Sequence, residues 1–353
     1  MNETLPVILL GGSGYVAGEL LRLIALHPRL ELAHVISSSR QDEPIADAFG
    51  HLAAVYPTKK FTSIKQCTER LGEFPHWITI SAAPHGASAG LIDQFLQSAE
   101  KTKVRMTVVD ASADFRHPSS ERFMEIYGQA HSAPHRLDSF SCAVPEHLEV
   151  LNTPHAVQPG CFATSMLLAI VPLIKLGLVE PEFFVSAITG STGAGRVPRD
   201  TTHHPMRQSN LFAYQALQHR HDPEVCDIVH ACTGSDIKLH FVPQSGPFSR
   251  GIHATVFARC AGKSDQELIA TQLAGFYQNS DFVNIVSMPP KLKDIVGTNN
   301  AALSINVDKG AVAVCCVIDN LVKGAAGGAI QWVNRLAGWP DSEGLIIAPA
   351  GWV

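Results

Sequence analysis

The apolar run Val7–Leu10 passes directly into Gly11-Gly12-Ser13-Gly14-Tyr15-Val16-Ala17-Gly18, and a helical pattern follows to Leu26. A strand that enters a helix through glycines can be built in few ways, because the turn must be tight and its backbone bare. The first N–H groups of such a helix suit an anionic pyrophosphate. The segment therefore reads as a GxxGxxA variant of the dinucleotide fingerprint, with Gly11, Gly12, Ser13, Gly14, Tyr15 and Val16 as contacts; a mere turn is the plainer alternative. Further apolar runs at Leu32–Ile36, Trp77–Ser81 and Val104–Asp110 keep a βαβ rhythm, which predicts a parallel sheet. The second run ends in Ser37-Ser38-Ser39-Arg40, where NAD-specific chains place an acid for the ribose 2′-hydroxyl. Ser38 and Arg40 suit a 2′-phosphate instead, which predicts NADP, against the alternative of an ordinary solvated arginine.

At 353 residues the chain predicts two domains, and 46% apolar with 17% charged residues predicts that both fold. The net charge of −5, without a basic run, argues against nucleic acid and an anionic membrane surface. The first apolar run is too short for a signal peptide or spanning helix, so a cytoplasmic location is expected. Eight cysteines without a CxxC pair read as reduced thiols, with no structural zinc or other metal. Beyond Leu176, β-branched runs at Phe183–Thr189, Leu239–Val242, Gly251–Arg259, Ala302–Val307 and Ala311–Ile318 predict an α+β domain with a largely antiparallel sheet. Ala325–Leu336 is helical again and is expected to pack on the first domain.

Pro159-Gly160-Cys161-Phe162-Ala163-Thr164 opens an apolar helical stretch to Leu176. A thiol at a helix N-terminus is stabilised as thiolate by the dipole and the unpaired N–H groups. On that context alone, a buried inert cysteine is an equal reading. His219 and His221 lie two apart, so they share a face on a strand and diverge by about 200° on a helix. Read alone, they are a metal pair or, more simply, a polar surface turn.

Other segments complete a pattern in order along the chain: Pro84-His85-Gly86, the Asp110-Ala111-Ser112-Ala113-Asp114-Phe115-Arg116 run, Val144-Pro145-Glu146, Gly193-Ala194-Gly195-Arg196, His219-Arg220-His221-Asp222-Pro223-Glu224, Arg250-Gly251-Ile252 and Asp319-Asn320-Leu321-Val322-Lys323-Gly324-Ala325. With Pro159–Thr164, this resembles the N-acetyl-γ-glutamyl-phosphate reductases, arginine-pathway members of the aspartate-semialdehyde dehydrogenase superfamily. Gln158 stands where that family has Asn.

The resemblance implies a glyceraldehyde-3-phosphate-dehydrogenase-like fold: a Rossmann-type NADP-binding domain over 1–155, completed by 319–353, and a catalytic and oligomerisation domain over 156–318, with the site in the cleft between them. It implies a thioester on Cys161, with His219 or His221 handling protons. It places Pro84, Ser112 and Asn320 with the cofactor, although Asn320 could instead cap a helix. Arg116, Arg196 and Arg250 would hold the acyl phosphate and carboxylate, each with a domain-interface salt bridge as the alternative. Thr192 and Gly193 would touch substrate, and Glu146 and Glu224 would touch it or orient a histidine or arginine. Asp114 would be structural, and Lys323 would reach a phosphate. Thr189-Gly190-Ser191-Thr192, where the family has Ser-Gly-x-Ser, and Gln244 depart from the family pattern near the implied substrate pocket. A homotetramer or dimer is implied. The rivals are the same chemistry on an acylated α-aminoadipyl phosphate, an aspartate-semialdehyde dehydrogenase, and a catalytically silent NADP-binding regulator.

Overall fold

The computed structural model describes residues 4–351; residues 1–3 and 352–353, the ends of the expected domain ranges, lie outside the described residues. The chain forms two compact units. One comprises the chain up to Cys142, Val150–Gln158 and Ala329–Leu345; the other comprises Ala143–Glu149, Pro159–Gly328 and the chain from Ile346.

In the first unit, β1 (Leu5–Leu10), β2 (Leu30–Ile36), β3 (His76–Ser81), β4 (Arg105–Asp110), β5 (Phe140–Cys142) and β6 (His155–Val157) form one sheet in the order β2-β1-β3-β4-β6-β5. Every pairing is parallel, as the βαβ rhythm predicts. Val7, Ile8, Leu9 and Leu10 are fully buried, the continuous apolar run of a strand covered on both faces. The helix Ser88–Thr102 buries an apolar stripe of Ala89, Ile92, Phe95, Leu96 and Ala99 and leaves polar residues outward, whereas Tyr15–Leu26 is buried through most of Ala17–Ile24, Glu19 included.

In the second unit, β7 (Val179–Thr189), β8 (Phe212–Ala213), β9 (Lys238–Ser245), β10 (Ile252–Cys260), β11 (Val283–Ile285), β12 (Ala301–Asp308) and β13 (Ala311–Ile318) are ordered β11-β12-β13-β10-β7-β9-β8. The central pairings β12–β13–β10–β7 are antiparallel, as is β8–β9. β7–β9 and β11–β12 are parallel, so the sheet is mixed although largely antiparallel. The β7–β9 exception follows from the chain between them, which is long enough for a crossover and contains the helix His221–Thr233. Alternation sorts the faces. Phe183, Val185 and Ala187 of β7 and Ala254 and Val256 of β10 are buried, whereas Phe184 and Phe257 stand on the open face, 54% and 44% exposed. The helix Cys161–Lys175 packs on β7, β10 and β13, and Phe162–Leu173 are all buried, which explains its lack of any polar stripe.

Candidate active site

The dinucleotide turn of the first unit has the shape its glycines predict. Gly11 has φ +74°, and a β-carbon there would stand 2.4 Å from the Ala83 Cα, so only glycine fits. Gly14 is the N-cap of Tyr15–Leu26; no side chain caps that helix, and nothing approaches a β-carbon built on Gly14 within 4 Å. The bare, open helix start fits a pyrophosphate, and Ser13, Tyr15 and Val16 lie at its rim. At the end of β2, Ser38 is exposed and Arg40 half-buried, which fits a 2′-phosphate. Glu43, which the sequence reading overlooks, takes Arg40 Nη1 at 2.8 Å. The spacing of three residues was the available signal.

Two other residues of this unit differ from expectation. Ser112 is buried; its hydroxyl donates to Asp110 Oδ2 at 2.8 Å and accepts the Asp114 N–H at 3.3 Å, so it braces a loop and does not present itself to a cofactor. Arg116 is buried too, donating to the carbonyls of Gln158 and Ala111, both at 3.1 Å. These bonds tie the arginine to backbone inside its own unit, a structural role in place of the expected contact with substrate. Asp114 is structural, as expected: its carboxylate accepts the N–H groups of Gly86 and Ala89 at the start of Ser88–Thr102. Pro84 and His85 are exposed on the same loop.

The thiol centre lies in the second unit. Cys161 is the first residue of its helix, behind the N-cap Gly160, and no side chain caps that start. The preceding glycine N–H donates to Glu224 Oε1 at 2.6 Å. Glu224 is fully buried, and its other oxygen lies 3.8 Å from His221 Nε2. One carboxylate thus links the cap of the thiol's helix to a histidine.

His219 and His221 come together in a way neither strand nor helix geometry offers. Arg220 is a helix N-cap with αR backbone, and His221 opens the helix His221–Thr233. The tight turn lets His219 Nδ1 accept the His221 N–H at 3.2 Å and brings the ring centroids within 4.8 Å. Both rings flank Phe162, at 5.8 and 6.1 Å. Burial, with Arg220 adding repulsion, pushes His219 down to about 4. Its imidazole is therefore neutral at pH 7, and with Nδ1 accepting, the proton sits on Nε2. The titration near neutrality expected of this motif does not belong to His219. Tyr214, which the sequence reading also misses, packs on His219 at 5.7 Å. Burial pushes its hydroxyl well above the usual phenol range, so it stays protonated.

The ends of β7, β10 and β13 gather the remaining expected residues. Asn320 Oδ1 accepts the Gly251 N–H at 2.7 Å, and its Nδ2 donates to Thr192 Oγ1 at 3.0 Å. Thr192 in turn donates to the Ser249 carbonyl at 2.6 Å. These side chains tie loops to one another, and Thr192 has spent its hydroxyl proton within the protein. Asn320 does not act as a helix cap; the neighbouring Asp319 Oδ1 accepts the N–H groups of Leu321 and Val322 instead. Arg250 is half-buried and grips Asp319 through Nε and Nη2, a salt bridge inside its own unit and not the domain-interface bridge of the alternative. Gly193 and Arg196 are exposed on the loop after β7. Gln244 donates to Ser186 at 2.7 Å on β7. Glu146 and Lys323 overturn their expectations together. They are an ion pair at 2.6 Å with side chains 3% and 0% exposed, so the one does not meet substrate and the other does not reach a phosphate.

These features define a class. Residues 6–154 match the family model "Semialdehyde dehydrogenase, NAD binding domain", and residues 161–320 match "Semialdehyde dehydrogenase, dimerisation domain". Within that class, the chain is 32% identical over 361 residues to the N-acetyl-gamma-glutamyl-phosphate reductase of Rhodopirellula baltica, covering 98% of this chain and 99% of that one. It is 34% identical over 356 residues to the protein of the same name from Acaryochloris marina, covering 98% and 97%. The chain belongs to the N-acetyl-gamma-glutamyl-phosphate reductase family. Its fold is similar to aspartate semialdehyde dehydrogenase II of Vibrio cholerae complexed with ASA (TM-score 0.68, 14% identity, 96% and 99% of the two chains). It is also similar to aspartate semialdehyde dehydrogenase with NADP from Candida albicans (TM-score 0.66, 14% identity, 95% and 99%). No helix among the described residues is long and apolar enough to cross a membrane.

Proposed function

We propose that this chain reduces N-acetyl-γ-glutamyl phosphate to N-acetyl-glutamate semialdehyde and phosphate, with NADPH as reductant. The observation that carries this reading is the half-buried Cys161 at an uncapped helix start, whose preceding N–H is held by the same buried Glu224 that faces His221. The Cys161 thiolate attacks the γ-carbonyl carbon. A C–S bond forms, and the C–O bond to phosphate breaks after the tetrahedral oxyanion has been held by N–H groups of the helix's first turn. The Gly11–Val16 turn holds the pyrophosphate, and Ser38 with Arg40 holds the 2′-phosphate. NADPH, when bound, would supply a hydride to the thioester carbon; the C–S bond then breaks as the carbonyl re-forms, which releases the semialdehyde and returns the Cys161 thiolate.

His221 handles the protons. Glu224 beside it favours the imidazolium that forms whenever it accepts one. His219 contributes an Nε2–H donor from a neutral ring. Arg196, exposed on the loop after β7, meets the anionic ends of the substrate together with Gly193. The matched dimerisation-domain family and the open sheet face with Phe184 and Phe257 support a homo-oligomer, for which we propose a tetramer. The free thiols of all eight cysteines support a reducing cytoplasm.

The test is single-turnover mass spectrometry with the glutamyl phosphate, beside kcat/KM for the aminoadipyl analogue. An acyl adduct on the Cys161 peptide, absent from Cys161→Ser while NADPH binding persists, is expected. Turnover by Cys161→Ser, or an adduct on another cysteine, removes the thioester.

A further inference from the structure

The one-turn helix Pro145–His147 holds two structures through adjacent side chains. Glu146 Oε1 takes Lys323 Nζ at 2.6 Å, and that ammonium lies over the Phe282 ring at 5.4 Å. Next to it, His147 Nε2 meets Tyr277 OH at 2.9 Å, and Tyr277 OH donates to the Leu168 carbonyl at 2.7 Å. The tyrosine proton is spent on Leu168, so His147 donates from Nε2. Leu168 belongs to the Cys161–Lys175 helix, whose first residue is the thiol. Lys323 belongs to the π-helical turn Val322–Ala326, whose next residue, Gly324, lies against Cys161: a β-carbon there would stand 2.8 Å from the Cys161 Cβ. One turn therefore grips both the helix that carries the thiol and the backbone that abuts it.

We infer that the Lys323–Glu146 pair is a positioning device for Cys161, with both residues acting through Gly324 rather than on substrate. The inference rests on the reading of Cys161 as nucleophile. A buried ion pair is a weak source of stability, since an apolar pair of the same volume often serves a fold as well or better. A π turn is likewise a rare departure from α-helix that clusters at functional sites. The wide turn is real in its hydrogen bonds: the Gly324 N–H reaches back five residues to the Asp319 carbonyl at 3.0 Å, and the Ala326 N–H to Leu321 at 2.8 Å. Without an anchor, Lys323 could relax toward α geometry and carry Gly324 off the thiol. The pair supplies a fixed length, which a greasy contact does not.

The experiment changes that length. Glu146→Asp keeps the charge and withdraws it by ~1.5 Å; Glu146→Asp with Lys323→Arg restores the reach. Iodoacetamide alkylation of Cys161, mapped by peptide mass across pH, is measured with kcat, the KM for NADPH and Tm. Glu146→Asp is expected to slow alkylation and kcat by about tenfold to a hundredfold, with the NADPH KM unchanged, and the double variant to recover both rates. Should Glu146→Asp not fold, Glu146→Leu with Lys323→Met is read in its place, with a slow thiol expected in a folded protein. Alkylation and kcat within about twofold of the parent, in whichever of these variants folds, overturn the inference even if Tm falls. Alkylation needs no substrate, so a parent that fails to turn over the acyl phosphate defeats the functional reading and still leaves the pair testable.

Discussion

Gly324 and Cys161 stand back to back: a β-carbon on Gly324 would lie 2.8 Å from the Cys161 Cβ and 3.0 Å from its Cα. Neither atom is the end of a flexible side chain, so Gly324→Ala must move the thiol or the turn. Glycine to alanine inside a helix ordinarily stabilises by about 1 kcal/mol, and here the sign is expected to reverse, with a loss of about 1–3 kcal/mol. Turnover is expected to fall about a hundredfold with NADPH affinity unchanged. A raised Tm with parental turnover would show that the contact carries nothing.

The elements were legible because each had a local cause. β-branched runs mark the strands of the second unit, and the glycine turn after β1 marks the first helix. Cys161 was legible through its Pro-Gly lead-in. Partners were not. Arg116 and Arg250 look alike as cations in a motif, yet one ends on backbone carbonyls and the other on Asp319. Lys323 and Glu146 are 177 positions apart, a separation at which sequence carries no sign of pairing. Asn320 reads as a cap in the sequence, yet the neighbouring Asp319 carboxylate takes the N–H groups of Leu321 and Val322. Tyr214 lacks any motif of its own; an aromatic shortly before the histidine pair was its only trace.

Cofactor choice is predicted to rest on Arg40 opposed by Glu43. The Glu43 carboxylate holds Arg40 Nη1 on an exposed surface and would also repel a 2′-phosphate. Arg40→Ala is expected to weaken NADPH by about tenfold or more while leaving NADH nearly unchanged, whereas Glu43→Gln tightens NADPH several-fold. Fluorescence titration of both dinucleotides at two salt concentrations measures this. Equal losses for NADPH and NADH in Arg40→Ala would move the 2′-phosphate site elsewhere.

Asp110 is expected to impose a pH dependence of unusual sign on stability. Burial, helped by the neighbouring Asp114 charge, raises its carboxyl to about 6, against donors from Ser112 and Ser88 that favour the ionised form. The folded chain therefore binds a proton between about 4 and 6 that the unfolded chain has lost, so this stabilisation is complete below pH 4 and disappears as pH rises through 6. His155 and His76, both lowered to about 4 by burial, act oppositely over 6.5 to 4. The Asp110 contribution is isolated by comparing Tm of the parent with Asp110→Asn. The variant is expected to gain on the parent between pH 4 and 7, by at most about 3 kcal/mol. A constant difference would mean that Asp110 is ionised throughout.

The two histidines are predicted to separate by protonation state. His219 is neutral because burial and Arg220 lower it to about 4, and because its Nδ1 already accepts the His221 N–H, a bond that protonation would break. Its contribution is then a fixed Nε2–H donor, which asparagine partly replaces, so His219→Asn is expected to lose less than about tenfold in kcat and to keep the shape of the pH–rate profile. His221 faces Glu224 at 3.8 Å and is the ring whose charged form has a buried counter-ion. His221→Asn is expected to lose about 10²–10⁴-fold and to flatten the limb that proton transfer creates, while Glu224→Gln shifts that limb and loosens the Gly160 cap. NMR of ring protons labelled in histidine supplies the independent check: the His219 signal should not move between pH 8 and 5.5. A His219 signal that titrates near 6.5, or a profile abolished by His219→Asn and kept by His221→Asn, exchanges the two roles.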